Sequence, residues 1–227
     1  MATHHNSSQP ARDGRWTPDG PLVARPSRLP AVREAALTLF AERGYRGTTM
    51  NDIAELLGVR GPSLYHHVAS KHELLREIMV GTMDRLLADH QAAVGSTDDI
   101  AEQLRRAAEA HVRYHARHRR EAFVGNREIW SLEEPDRLLV LARRDEYEGR
   151  FRSLIQRGVE QGRFRVGSVR LASYAILEMG IGVSSWFRDD GPLSEAQVAY
   201  QYGEFALRIA GANLPPGQAD PPVLQEA

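Results

Sequence analysis

From about residue 27 to residue 212 the apolar side chains recur every three or four positions, the spacing that puts them on one face of a helix. No run alternates apolar and polar residues as a half-buried strand would, so the pattern predicts an all-α chain. The first helix starts at Ser27 or Pro30, carries Val32, Ala36, Leu39 and Phe40 on one face, and is closed by Gly44. A short second helix follows: Thr49 is a good N-cap with Asp52 three residues on, Ile53, Ala54, Leu56 and Leu57 form its stripe, and Gly58 ends it. A third short helix is expected over 61–68 and a long one over 71–90. Further helices are expected over 98–118, 121–130, 135–161, 168–188 and 194–212. Residues 1–26 and 213–227 mix Pro, Gly, Ser and charges without a period, and are expected to be a disordered arm and tail. Two short helices joined by a Gly-containing turn are the sequence form of a helix-turn-helix. The expected domains are therefore a helix-turn-helix unit at 27–72 and a larger helical unit at 73–212.

Composition narrows the classes. The chain has 227 residues, 42% hydrophobic residues and a net charge of -1, ordinary for a globular protein, so nucleic-acid binding must rest on local charge placement. The absence of cysteine excludes disulfides, thiolate zinc sites and a Cys nucleophile. No apolar run approaches the ~18 residues of a membrane span, and no secretion signal is legible. A cytoplasmic protein without membrane contact is expected. Lys71 is the only lysine among 29 Lys and Arg residues. It therefore stands out as a candidate for a specific task.

Side chains on a helix over 61–68 step by ~100° around its axis. Leu64 and Val68 then face inward with Val59 leading in, while Pro62 and His66 face outward, flanked by Ser63 and Tyr65. A recognition helix needs this division, because one face enters the major groove and the other packs on the preceding helix. Ser63 and His66 can bond base edges, and the Tyr65 hydroxyl and Lys71 ammonium suit phosphate oxygens. Thr49, Arg60, Pro62 and His67 complete the candidate DNA-binding set. Such a turn also occurs in α proteins that bind no DNA. From Arg25 to Lys71, however, seven basic residues stand against four acidic ones.

The stretch "ALTLFAERGYRGTTMNDIAELLGVRGPSLYHHVASKHELL" resembles the DNA-binding domain of the tetracycline-repressor (TetR) family almost throughout. The matching features are Phe40 to Tyr45, Thr48-Thr49, Asp52-Ile53-Ala54, Gly58-Val59, Leu64 to His67 and Ser70-Lys71. The resemblance implies that Tyr65 and Lys71 touch the phosphate backbone, that the recognition helix reads bases, and that the remaining helices form a ligand pocket and a dimer interface. Pro62, where small residues such as Gly are usual, and Val68, in place of the usual Phe, depart from the pattern. The operator sequence and the packing behind the recognition helix therefore cannot be carried over from relatives.

In the helix from Asp98, residues Ile100, Leu104, Ala107, Ala108, His111, His115 and His118 share one arc. Histidines at i and i+4 can share a metal ion, but no carboxylate or cysteine is evidently arranged with them, so no metal or cofactor is expected and His111 and His115 are candidates to line a pocket. Phe123, Trp130, Tyr147, Phe151 and Tyr174 lie on the helices that would enclose it, and Glu178 is a single acid in an otherwise apolar helix. Glu178 either meets a pocket or interface partner or marks a wet edge. Gly180, Gly182 and Ser184 permit close helix approach, and Val198, Tyr202, Phe205 and Ile209 form one stripe, a candidate dimer interface. The linker "SWFRDDGPLSEAQVAYQY" is similar to that of regulators of steroid and fatty-acid catabolism that respond to CoA thioesters. These features imply a homodimeric repressor that binds double-stranded DNA at a palindromic operator and releases it on binding a small, apolar or acyl-type effector such as an acyl-CoA. The competing expectation is a DNA-binding adaptor whose larger unit binds a protein. An enzyme is not expected, since no nucleophile elbow, phosphate loop or metal motif is legible.

Overall fold

The computed structural model describes residues 29–212, so the expected arm and tail lie outside the described residues. Nine α-helices and one 3-10 turn account for all regular structure among these residues: α1 (Leu29–Arg43), α2 (Met50–Leu56), α3 (Gly61–Leu64), α4 (Lys71–Val94), α5 (Ile100–Arg117), α6 (Arg119–Glu128), a 3-10 turn (Ile129–Ser131), α7 (Glu134–Glu160), α8 (Val169–Trp186) and α9 (Glu195–Ile209).

α1 buries Val32, Ala35, Ala36, Leu39 and Phe40, and the left-handed backbone of Gly44 (φ +76°) then turns the chain. α2 opens on a capping box: Asp52 N–H donates to Thr49 Oγ1 at 3.1 Å and Thr49 N–H to Asp52 Oδ2 at 2.6 Å. The helix expected over 61–68 is shorter than its spacing suggested. Only Gly61–Leu64 is α-helical, and Tyr65–His67 form a turn in which the His67 and Val68 amides donate to Leu64 O at 2.8 and 3.1 Å. Arg60 offers no side-chain cap at its start, and Ser70, extended as the N-cap of α4, commits the chain to leave the helix. The expected inward residues hold nonetheless, since Leu64 and Val68 are both buried.

α4 crosses the expected domain boundary without a break. Its first turns place Leu74, Leu75 and Ile78 under the helix-turn-helix, and its last turns place Met83, Leu86 and His90 in the larger unit. α5 is the central strut, packed against α4, α7, α8 and α9. Its neighbour α9 approaches through a line of small residues: an added Cβ at Gly203 would meet Arg105 Cγ at 2.9 Å. A second apolar cluster of Val112, Ala116, Val183, Phe187, Val198 and Ala199 closes the α5–α8–α9 end. Val198, expected at a dimer interface, is thus an internal residue, only 2% exposed. The α8–α9 connection folds Phe187 and Leu193 over the first turn of the stripe, and the stripe opens to the surface only further along, where Phe205 is 41% exposed.

Candidate functional site

The α3 turn carries the polar group that the spacing predicted. Arg60, Pro62, Tyr65, His66 and His67 are exposed together, Tyr65 at 58%, while Ser63 is half-buried beside Leu64. Thr49 is exposed but its hydroxyl is spent on Asp52. Lys71 is placed differently from a freely swinging phosphate ligand. Its ammonium donates to Thr48 O at 2.6 Å and Tyr45 O at 2.8 Å and lies 4.2 Å from the Tyr45 ring centroid. It ties the start of α4 to the α1–α2 turn.

A cavity of about 270 Å³ lies among α4, α5, α6, α7 and α8, and of the candidate pocket residues His111, His115, Tyr147, Tyr174 and Glu178 line it. His111 Nε2 faces the Leu177 carbonyl at 3.0 Å, which can only accept, so Nε2 carries the proton and Nδ1 accepts from the Tyr147 hydroxyl, also at 3.0 Å. Burial pushes His111 down to about 4 against the opposing backbone bond, and burial pushes His115 well below the usual histidine range. Burial raises Tyr147 in turn, so the three groups are neutral dipoles at neutral pH. His115 is 5% exposed and its Nδ1 is a buried polar atom without a protein partner. His118 turns away to stack on Tyr114 and meet Glu121 Oε1 at 3.1 Å, so the three histidines of the stripe do not converge on one point.

Three expected cavity residues lie elsewhere. Phe151 is core behind the wall, its ring 5.5 Å from that of Tyr147 and 6.0 Å from that of His111. Phe123, with Arg127 over its ring, lines a neighbouring open cleft instead, because α6 turns Ala122 and Gly125 toward the cavity. Trp130 is 77% exposed beneath Arg137, since the 3-10 turn at 129–131 breaks the helical phase from which its position was extrapolated. Glu178 sits at the exposed rim of the cavity, near Arg144, whose charge it supports against burial. Arg144, bonded to Gly125 O at 2.9 Å, is the cavity's half-buried cation, which the sequence reading did not single out. Its position three residues before Tyr147 on the same face was the signal that could have found it.

Arg120, Glu128 and Asp136 of the larger unit make polar contacts to the helix-turn-helix and the first turns of α4. Arg120 donates to Thr38 Oγ1 and Glu34 Oε1, each at 2.6 Å. Buried Glu128 accepts from the Tyr45 amide at 3.2 Å and the Ser131 hydroxyl at 2.8 Å. Asp136 meets His72 and Arg76, each at 2.8 Å, and these hydrogen bonds hold its carboxyl below the usual range.

Residues 32–78 match the family described as bacterial regulatory proteins, tetR family, and residues 97–210 match the tetracyclin repressor-like C-terminal domain. The HTH-type transcriptional repressor KstR2 of Mycobacterium tuberculosis (strain H37Rv) is 33% identical over 178 residues, 78% of this chain and 89% of that protein. The solved structure of the ketosteroid transcriptional regulator KstR2 of M. tuberculosis aligns with a TM-score of 0.75 at 32% identity, over 81% of this chain and 95% of that one. PfmR of Thermus thermophilus, a TetR family transcriptional regulator, aligns with a TM-score of 0.71 at 40% identity, over 78% and 97%. The structure of AibR in complex with isovaleryl coenzyme A and operator DNA aligns with a TM-score of 0.71 at 26% identity, over 82% and 99%.

Proposed function

As the chain belongs to the TetR family of transcriptional regulators, we propose that it is a homodimeric repressor that holds a palindromic operator through its two α3 turns and releases it when a small acyl-type effector fills the cavity. Arg60, Pro62, Ser63, Tyr65, His66 and His67 would face the major groove, and the protein would work in the cytoplasm where its operator is. Exposed Leu171 and Trp186 on α8 and Tyr202, Phe205 and Ile209 on α9 form the face offered to a second protomer. No helix among the described residues is long and apolar enough to cross a membrane.

The observation that carries the effector reading is the cavity itself, walled by Met83, Leu86, Leu177 and Ile181 and supplied with the unspent Nδ1 of His115. Apolar side chains here share the wall with polar groups able to fix a ligand's orientation, as they do in small-molecule sites. That AibR was solved with isovaleryl coenzyme A supports an acyl-CoA as the class to test first. An adaptor would call for a solid core under an exposed apolar groove, and a hollow core favours sensing.

Effector and operator must compete through conformation, since a ligand with equal affinity for both states shifts nothing. The test is a panel of free fatty acids, aromatic acids, acyl-CoAs and bare CoA, read by operator release and by thermal shift. One class should release the operator and raise the melting temperature. If every compound leaves both readouts unmoved while a protein partner copurifies, the adaptor replaces the sensor.

A further inference from the structure

The charges around the cavity discriminate between an acid and its thioester. Glu121, Asp145, Glu148 and Glu178 line it, against the single guanidinium of Arg144. Glu148 is offset by Arg152 at 2.7 Å, which still leaves more acid than base on the wall. A free carboxylate entering this space meets like charges, whereas a thioester carbonyl brings none.

Beside the cavity an open cleft of about 730 Å³ has the opposite character. It is lined by Arg117, His118, Arg119 and Arg120 at the α5–α6 junction, with Glu34, Glu121 and Ser184. The two spaces meet: Glu121 lines both, and on α5 the lining passes from His115 in the cavity to Arg117 in the cleft, about 3 Å of helix rise. On α8 it passes from Ile181 to Ser184. Arg119 donates to a neutral acceptor, Phe187 O, at 2.6 Å, so that bond leaves its charge uncompensated. Arg117 is held by Glu195, and Arg120 by Glu34 and Thr38 of α1. The Arg120–Glu34 pair is about half exposed on both sides, so a multiply charged anion with bidentate geometry can displace the carboxylate.

We propose that this cleft binds the phosphate-bearing nucleotide of a coenzyme A thioester whose acyl group occupies the cavity, and that the phosphates take Arg120 from Glu34 and so loosen α1 from α6. The inference rests on the acyl-effector reading and narrows it to thioesters. Bare CoA carries the recognised phosphates, so it should bind the full-length dimer with an affinity that falls with salt, and pantetheine, which lacks them, should not.

The test is calorimetric titration of wild type, Arg119→Ala, Arg120→Ala and Glu34→Gln with CoA, pantetheine, a ladder of acyl-CoAs and the matching free acids, with melting curves as a folding control. Each Arg variant should lose roughly tenfold in CoA and acyl-CoA affinity, the loss of a charge-assisted contact. Glu34→Gln should gain about two- to fivefold, because the internal competitor is removed. That opposite sign separates anion binding from general damage, since both changes break the same α1–α6 pair. If wild type binds acyl-CoA and the Arg variants bind it equally well, the cleft is overturned and the acyl-CoA reading stands. If free acids bind and release the operator while thioesters and CoA do not, the cleft is overturned and the cavity reading stands. If no member of the panel binds, both fall. Unchanged or weaker binding by Glu34→Gln overturns the competition with Glu34.

Discussion

Replacing Lys71 by Met keeps the aliphatic stem and removes the ammonium, and with it two hydrogen bonds of 2.6 and 2.8 Å to the Thr48 and Tyr45 carbonyls. A hydrogen bond to a charged group contributes about 1.5–3 kcal/mol when buried. Lys71 is half-buried, so water recovers part of each, and about 2 kcal/mol for the pair is the fitting figure. At roughly 2–4 °C per kcal/mol for a chain of this size, the melting temperature should fall by about 4–8 °C. Operator affinity should fall as well, because Tyr45 and Thr48 frame the α1–α2 turn on which α2 and α3 are set. The slope of log affinity against log salt should stay unchanged if that loss is purely positional, whereas a lost phosphate contact lowers it by about 0.9. Lys71→Arg should recover only part of the stability, since a planar guanidinium cannot converge on two neighbouring carbonyls as a compact ammonium does. Thermal melts beside operator titrations at several salt concentrations decide the matter. An unshifted melting temperature together with a slope reduced by about one would show that Lys71 serves the DNA and would refute the positional argument.

Acid should weaken the larger unit before any carboxylate titrates: His90 and His111 are pushed by burial to about 4 from an ordinary 6.5, so the unfolded chain takes up their protons first. Stability is complete above about pH 6.5 and falls as pH drops toward 4, by about 2 kcal/mol per buried histidine at pH 5, and urea titrations showing equal stability at pH 7 and 5 would contradict this. Phe205→Asp should give folded monomers in sedimentation that fail on a palindromic site, while Val198→Asp, buried inside the protomer, should unfold the chain at the cost of about 3 kcal/mol or more; a soluble, dimeric Phe205→Asp would remove α9 from the interface. Gly180→Ala sets a Cβ 2.3 Å from the Cδ2 of His111, so it should cost about 1–3 kcal/mol in melts and alter effector response with DNA affinity nearly intact; a silent variant would mean that His111 is free to move.

The helices were legible because each depends on its own period and caps. Thr49, Ser70, Ser168 and Ser194 all accept a backbone hydrogen bond at a helix start, and such a cap is encoded within four residues. The inner faces of α3 and α5 were legible for the same reason. What failed were individual positions whose environment is set by a distant segment or by a local change of helical phase. Val198 obeys its stripe but is covered by Phe187 and Leu193 from the connection before it. Trp130 and Phe123 lost their expected places to a change of helical type and to the rotation of α6. Arg144 escaped notice because an arginine on a long polar helix looks like a solvated one until α6 is seen to cover it. Lys71 was recognised as special from its rarity, yet the carbonyls it holds lie 23 and 26 residues earlier, beyond any local pattern.

The contacts that join the two units suggest how the proposed switch would act. α6 is a helix of ten residues with the cavity on one side, at Ala122, Gly125 and Asn126, and the helix-turn-helix on the other, through Arg120 to α1 and Glu128 to the Tyr45 amide. The carbonyl of Tyr45 is in turn bonded to Lys71, so Glu128, Tyr45 and Lys71 form one continuous chain from the end of α6 to the start of α4. Gly44 leaves room for it: an added Cβ there would approach Glu128 Oε1 to 3.3 Å. An effector that presses α6 outward would strain this chain where the backbone has few alternatives, because Gly44 is already left-handed and Thr48 is buried and bonded to Leu39 and Gly44. The strain would then be relieved by moving the helix-turn-helix as a unit, which changes the separation of two α3 turns that must span ~34–36 Å on the operator. In this arrangement the cavity needs no direct contact with α3. It has only to make the α6 position required for DNA binding less favourable than one a few tenths of an ångström away, and close-packed interfaces amplify displacements of that size.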